Sequence, residues 1–518
     1  MHDAELILGL LIAVAALVTI ARRLGVAYPI FLVIGGLVLG LLPGVPRIQV
    51  DPDAIFLIVL PPLLYIAGYF TRMRSFRENL ATISSLAVGL VLVSAFAVAA
   101  VARWLIPDMP WPVAFALGAI VAPPDAIAAT AVTRRLAAPR QIVTILEGES
   151  LLNDATALTM YSIALAVAAG AVFTPSGAAL RFAAAIVIGG AFGFVIGWVI
   201  ARIRAAIEDT PVEMTISLLT PYAAFLPAAR LEASGVIATV AAGLYLGHRG
   251  SHIMGADARL TGRAVWETIT FLLNGFVFIV MGLEIPHLLR ALTRPRAVEL
   301  VGIGVAVTIV LVLVRAVWIF ATLDLPSRLR GRSDAFACSL VLTWAGMRGV
   351  VSLAAALALP LTLAGRPFPA REAVVVVTVT VIVLTLVGQG LTLTWLIRRL
   401  GLGQDPGSRE EEARARQRLV EAAMRRIEEL YPVWPGHRPL LDQMRDTYRH
   451  RSAHVERHLD PSVDGEDREL IEHREIRRTV LDAEREALLR LRAEDAIDDE
   501  VARDLERELD LEERRMDA

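Results

Sequence analysis

The sequence predicts an all-α polytopic membrane protein of about thirteen transmembrane helices, arranged as two inverted six-helix repeats with broken helices and followed by a cytosolic helical tail. Three observations predict it. Of the 518 residues, 55% are hydrophobic, and a mean hydropathy of +0.57 is far above that of soluble globular chains. Apolar runs long enough to span a bilayer fall at about residues 5–21, 27–43, 53–70, 81–106, 112–133, 141–168, 179–201, 212–229, 233–247, 264–285, 298–322, 334–360 and 372–397. Charge is sparse and mostly Arg up to about residue 400, then dense and mixed in sign, so two regions meet different solvents.

Taken in order, the first run starts with Asp3 and Glu5, lacks a basic leader, and is followed by ARRLG rather than a small-residue cleavage site; it reads as a first span. The fifth contains Ala-Pro-Pro-Asp at 122–125, where tandem prolines remove backbone donors and rule out a regular helix interior. The twelfth contains Ala-Gly-Met-Arg-Gly at 345–349, equally unsuited to an unbroken helix. If the seventh span is a linker, both breaks fall in the fifth helix of a six-helix half. Paired interruptions at matching positions point to an inverted-repeat transporter with its site at the bilayer midplane. An odd number of spans puts the termini on opposite sides. The loops ARRLG, TRMRSFREN, TRRLAAPR, ARIRAAIEDT, 248–263, PSRLRGR and IRRLG hold about twice as many Arg as the other set, which sets the N-terminus outside and the tail in the cytoplasm; PHLLRALTRPRAV is the exception. The tail, residues 402–518, has apolar residues at helical spacing between abundant charges. His450, His454 and His458 recur every four residues on one of its faces, a spacing open to metal binding or pH sensing but also that of a solvated helix face. Trp266 and Trp395 fall near span ends, where interfacial anchoring is the ordinary reading.

The residue types narrow the chemistry. All 51 basic residues are Arg, so lysine chemistry is excluded, and the single Cys338 rules out an intrachain disulfide and a Cys-rich metal site. Against this background the stretch EGESLLNDATAL (147–158) sets three carboxylates inside an apolar span. Counting from Gln141 at a rise of about 1.5 Å per residue, Glu149 lies roughly 12 Å and Asp154 roughly 20 Å into a hydrocarbon core of about 30 Å. Arg315, on a span running the other way, lies roughly 13 Å from the same end. Glu149 and Arg315 share a depth, and an unpaired charge there would cost several kcal/mol, so they are expected to form a structural salt bridge. Glu149 and Asn153 are four residues apart, as are Ser150 and Asp154, so two neighbouring stripes face the protein interior. Glu147 lies one turn nearer the cytoplasm, placed to line an access funnel or to snorkel.

Asp125 and Arg348 occupy the two breaks. A broken helix presents partial charges of about half an electron at its free ends, and a carboxylate and a guanidinium would neutralise them. Direct ligation, or an ion pair with another residue, remains open for each. That leaves Asp154 as the carboxylate with no obvious permanent partner, for which a proton and a cation would compete. Ser150 and backbone carbonyls freed around 122–125, Pro124 among them, would supply further hard oxygen ligands suited to an alkali cation. Competition at one carboxylate with alternating exposure is antiport. With no lysine partner it would exchange one proton for one monovalent cation.

At these residues the sequence resembles the sodium/proton exchanger family of NhaP-type antiporters and animal plasma-membrane exchangers. GESLLNDA (148–155) matches the family's signature almost letter for letter, PPLLYIAGYF (61–70) resembles its third-helix motif, and WAGMRGVVSLAAAL (344–357) its broken-helix Arg motif. The resemblance implies crossed broken helices and a homodimer in the plasma or inner membrane, with an interface part (spans 1–3 and 8–10) and a mobile core (spans 4–6 and 11–13) moving like an elevator within residues 1–401. It implies that Asp154 binds Na+ or H+, that Asn153 and Ser150 support it, that Asp125 and Arg348 stabilise the crossing, and that Glu149 pairs with Arg315. Asn before Asp is the family's electroneutral pattern. Ile66 stands where relatives often carry an acid, and Pro124 where many have Thr; both bear on ion selectivity. No organic cofactor and no nucleic acid partner is implied; membrane lipid is, and the tail's partner is unknown. K+ is the alternative cation. A serine hydrolase at Gly-Glu-Ser lacks a mid-depth His, whereas a passive channel or a membrane sensor stands as the reading from another class.

Overall fold

In lipid every backbone polar group must be satisfied within the chain, so the apolar runs fold as helices. The computed structural model describes residues 2–24, 27–42, 52–136, 138–207, 209–231, 233–290, 292–325, 335–363, 365–402, 406–459, 468–494, 501, 505–506 and 508–513. The His450, His454 and His458 side chains lie outside the described residues.

Thirteen helical spans run through the described residues: α1 (His2–Leu24), α2 (Tyr28–Leu41), α3 (Pro52–Tyr69), α4 (Leu80–Leu105), α5a and α5b (Trp111–Val121 and Ala126–Arg135), α6 (Arg140–Ala168), α7 (Pro175–Arg204), α8 (Thr210–Arg230), α9 (Gly235–Ile253), α10 (Ala256–Arg290), α11 (Arg294–Asp324), α12a and α12b (Ala335–Trp344 and Val350–Leu357), and α13 (Arg371–Arg399). Eight are long and apolar enough by themselves to cross a membrane. The chain is a multi-pass membrane protein.

Small residues decide which helices touch. A Cβ on Gly36 of α2 would strike the Ile279 carbonyl of α10, and one on Gly68 of α3 would lie 2.8 Å from the Val240 carbonyl of α9. Close backbone approach of this kind substitutes for the hydrophobic drive that lipid does not provide. The pairs α2/α10 and α3/α9 are among the most extensive in the fold, and each becomes the other when α1–α6 are exchanged with α8–α13, as an inverted repeat requires. The long α7 lies between the halves and is the least buried of the long spans.

Trp266 is corrected by the structure. It is buried, stacks against Tyr65 at 5.3 Å and donates its indole N–H to Ser217 Oγ at 3.0 Å, so it is a core residue rather than an interfacial anchor. The reason is that α10 begins at Ala256, well before the apolar run, which puts Trp266 inside the helix instead of at its end. Trp395 is exposed, with the Arg399 guanidinium over its ring.

The chain divides into two units, Met1–Asp405 and Pro406–Ala518. In the second, α14 (Pro406–Leu430) packs against α15 (Arg438–Leu459), joined through a link where Tyr431 donates to Asp442 Oδ1 at 2.6 Å. A third helix, α16 (Arg468–Ala493), follows, and its Arg485 bonds both Asp510 and Glu513.

Candidate functional site

The two breaks meet. Pro123 and Pro124 carry no N–H, so α5a ends at Val121 and the chain restarts as α5b at Ala126. In the extended link between them, the Asp125 N–H donates to the Met347 carbonyl of the other break at 2.6 Å. Four helix ends therefore converge on one crossing in the interior.

Each end is matched by charge. The Asp125 carboxylate caps α5b by accepting from the Ile127 N–H at 2.8 Å, and it lies where a Cβ on Gly349, the N-cap of α12b, would run into it. One carboxylate thus serves two positive ends, and glycine at 349 leaves it the space. On the negative side, Arg348 donates to the Val121 carbonyl at 3.0 Å, to that of Ala122 at 3.4 Å and to Gly346 O, while its backbone N–H donates to Thr385 Oγ1 at 3.1 Å. Arg315 Nε adds a bond to the Leu342 carbonyl of α12a at 3.0 Å. Thr385 reaches the crossing from a π-helical turn of α13, Leu384–Gln389, a local widening often found at functional sites.

Against this crossing runs α6. Glu149 and Arg315 form a two-pronged ion pair at 2.5 and 2.8 Å, each side chain 1% exposed. One turn on, Asn153 donates its amide to the Pro124 carbonyl at 2.8 Å, which ties α6 to the unwound link. Its Oδ1 is buried without a hydrogen-bond partner among the described residues. Ser150 Oγ accepts from the Ala126 N–H at 3.4 Å. Asp154 is buried at 9% exposure, and among the described residues its carboxylate makes no hydrogen bond or ion pair. Glu147 pairs with Arg134 of α5b at 2.5 Å on a partly exposed face. Ile66 packs in an apolar cluster with Tyr65, Ala201, Leu246 and Trp266.

Sequence reasoning missed Thr385, the Arg134 partner of Glu147, and Gln389, which is buried with neither amide atom hydrogen-bonded among the described residues. A threonine or glutamine in an apolar helix carries no signal of its own; only the fold shows which one meets a break. No cluster of three or more potential metal-ligating His, Cys, Asp or Glu occurs among the described residues.

Residues 9–399 match the family model described as the transmembrane sodium/hydrogen exchanger. The chain belongs to the sodium/hydrogen exchanger family. Over 98% of its length it is 35% identical to an uncharacterized Na+/H+ exchanger of Mycobacterium tuberculosis, covering 96% of that protein. It is 30% identical to the Na+/H+ antiporter ApNhaP of Aphanothece halophytica, over 79% of this chain and 76% of that one. A sodium, potassium, lithium and rubidium/H+ antiporter of Bacillus pumilus is 29% identical over 66% of this chain and 53% of its own. Among solved structures, the sodium proton antiporter MjNhaP1 of Methanocaldococcus jannaschii superposes with a TM-score of 0.59 at 20% identity, covering 78% of this exchanger and all of that chain, and so shares its fold.

Proposed function

We propose that this exchanger moves one monovalent cation, Na+ or Li+, against one proton, with both bound in turn at Asp154. Its family makes it a cation/proton antiporter and not an enzyme. The observation that carries the finer reading is the contrast among the buried carboxylates: Glu149 is saturated by Arg315, Asp125 is occupied at the crossing, and Asp154 has no donor among the described residues. A carboxyl in that position is stable either protonated or with a cation on it, and the two states exclude each other.

The other ligands are oxygens. Asn153 Oδ1, the Ser150 hydroxyl and the second lone pair of the Pro124 carbonyl are hard donors that suit an alkali cation. Asn153 holds the Pro124 carbonyl in place, so the ligand set is prearranged across α6 and the break. Asp125, Arg348 and Arg315 neutralise the helix ends, and Glu149 fixes α6 to α11; none of these need change charge in the cycle. With only Asp154 alternating between a proton and a monovalent cation, the net charge moved is zero. Glu147 with Arg134 lines the access route.

Alternation is the work of α4–α6 and α11–α13 sliding as a body against α1–α3 and α8–α10, the latter forming the interface of a homodimer, with the N-terminus outside and the tail cytoplasmic. Organic cofactors have no part. K+ is the alternative cation, favoured by the relative from Bacillus pumilus whose name includes potassium.

The test is exchange in proteoliposomes loaded with a pH-sensitive dye, challenged with NaCl, LiCl, KCl or choline chloride, with and without a valinomycin potential clamp. A pH change driven by Na+ and Li+ that ignores the clamp is expected. A response to K+ of equal size would move the reading to K+/H+ exchange, and currents exceeding proton flux would replace antiport by a channel.

A further inference from the structure

Three arginines converge on one cavity that the exchange cycle does not use. Arg22 in the last turn of α1, Arg135 in the last turn of α5b and Arg398 in the last turn of α13 all line a half-open cavity of about 300 Å3. Tyr28, at the start of α2, and Thr394 also line it, and Leu136 gives it an apolar side. Among the described residues, no acidic side chain lines it. Each of the three arginines is an exposed residue, and none makes an ion pair among the described residues.

Arginine at a helix C-terminus is ordinary, because it complements the helix dipole. Three of them from three separate helices around one cavity are different. Their positive charges repel unless an anion lies between them, and the planar forks of guanidinium groups match the oxygens of a phosphate. In addition, α2 begins at this cavity, with its N-cap residue Ala27 and first residue Tyr28 in the lining. An apolar side on a basic pocket at the end of membrane helices is what an anionic phospholipid presents itself to: phosphate to the guanidiniums, glycerol and first methylenes to Leu136.

We propose that this cavity is a binding site for a phosphate group, that of an anionic phospholipid headgroup or of a soluble phosphate ester. The site is separate from Asp154, and its occupancy can be read without transport. The test uses purified full-length protein in detergent, with retention of phosphatidylglycerol, phosphatidylcholine or glycerol phosphate measured by native mass spectrometry. Wild type is compared with Arg22→Gln, Arg135→Gln and Arg398→Gln, singly and together. A control set, Arg23→Gln, Arg77→Gln and Arg249→Gln, removes the same charge from exposed positions outside the cavity.

Phosphatidylglycerol retained in preference to phosphatidylcholine is expected, weakening by about fivefold per cavity arginine removed, with little change in the control set. If glycerol phosphate alone binds and competes, the site takes the soluble ester, and the same arginines hold it. Equal loss in the control set would reduce the effect to diffuse surface charge and overturn the proposal, as would undiminished retention by the triple cavity variant with an unchanged melting temperature.

Discussion

Among the described residues the membrane unit buries the arginine–carboxylate pairs Glu149–Arg315 and Arg204–Glu213, and their surroundings differ. Glu149 and Arg315 meet through two bonds beside the crossing, next to unwound backbone and to Asp154, which has no bond among the described residues. Arg204 and Glu213 meet at 3.0 and 3.2 Å through one carboxylate oxygen, linking the end of α7 to the start of α8 with regular helix on both sides. Both pairs are almost wholly buried. Buried charge alone therefore does not mark the ion site. In the mechanism proposed above, what marks it is a carboxylate with no partner among the described residues, beside backbone oxygens that a broken helix has released.

The largest way to sharpen this contrast is Asp154→Asn. Because the native carboxylate accepts no bond among the described residues, its replacement orphans no partner group, and the variant should fold with a near-native melting temperature while cation-driven proton flux is lost. Residual exchange near the wild-type rate would move the ion site elsewhere.

Next come the two pairs themselves. Breaking either with Glu149→Gln or Arg204→Gln leaves one uncompensated buried charge, expected to cost roughly 3–5 kcal/mol. The double replacements separate them. Arg204→Met with Glu213→Leu should restore most of the thermal stability and keep exchange. Glu149→Leu with Arg315→Met should restore less, because the Leu342 carbonyl also loses its donor, and exchange should stay impaired. Equal recovery of exchange in both doubles would erase the distinction between the regions.

Glycines give a smaller contrast. Gly349→Ala pushes a methyl into the Asp125 carboxylate, whereas Gly36→Ala pushes one into the α2/α10 contact. Both should lower stability by about 1–3 kcal/mol, but only Gly349→Ala should reduce exchange per folded molecule. The smallest effect is expected of Ser150→Ala: loss of one oxygen ligand, worth about 1 kcal/mol, should weaken apparent cation affinity by about fivefold with the maximal rate preserved.

Much of the architecture was legible because lipid imposes simple rules. Apolar length marks the spans, and tandem Pro at 123–124 and the Gly pair at 346 and 349 mark the breaks. Helix rise alone puts Glu149 and Arg315 at one depth, and in the structure their side chains meet. Other features were hidden for equally physical reasons. Arg204 and Glu213 fall at span ends, where charge is ordinary, and nothing in the sequence says that Met254, between α9 and α10, lies against Arg204. Thr385 is one of many threonines on apolar helices, and only a π-helical turn brings it to the Arg348 amide. Asn153 read as support for Asp154, but its hold on the Pro124 carbonyl depends on how α6 lies against the break.

The most direct test of a shared carboxylate counts protons. Na+ added to purified protein in weakly buffered solution, with a pH-sensitive dye and calorimetry run in parallel, gives the number of protons released per cation bound. We predict one for wild type and none for Asp154→Asn, which should also fail to bind Na+. Na+ binding without proton release in wild type, or release that persists in Asp154→Asn, would contradict exchange at a single group.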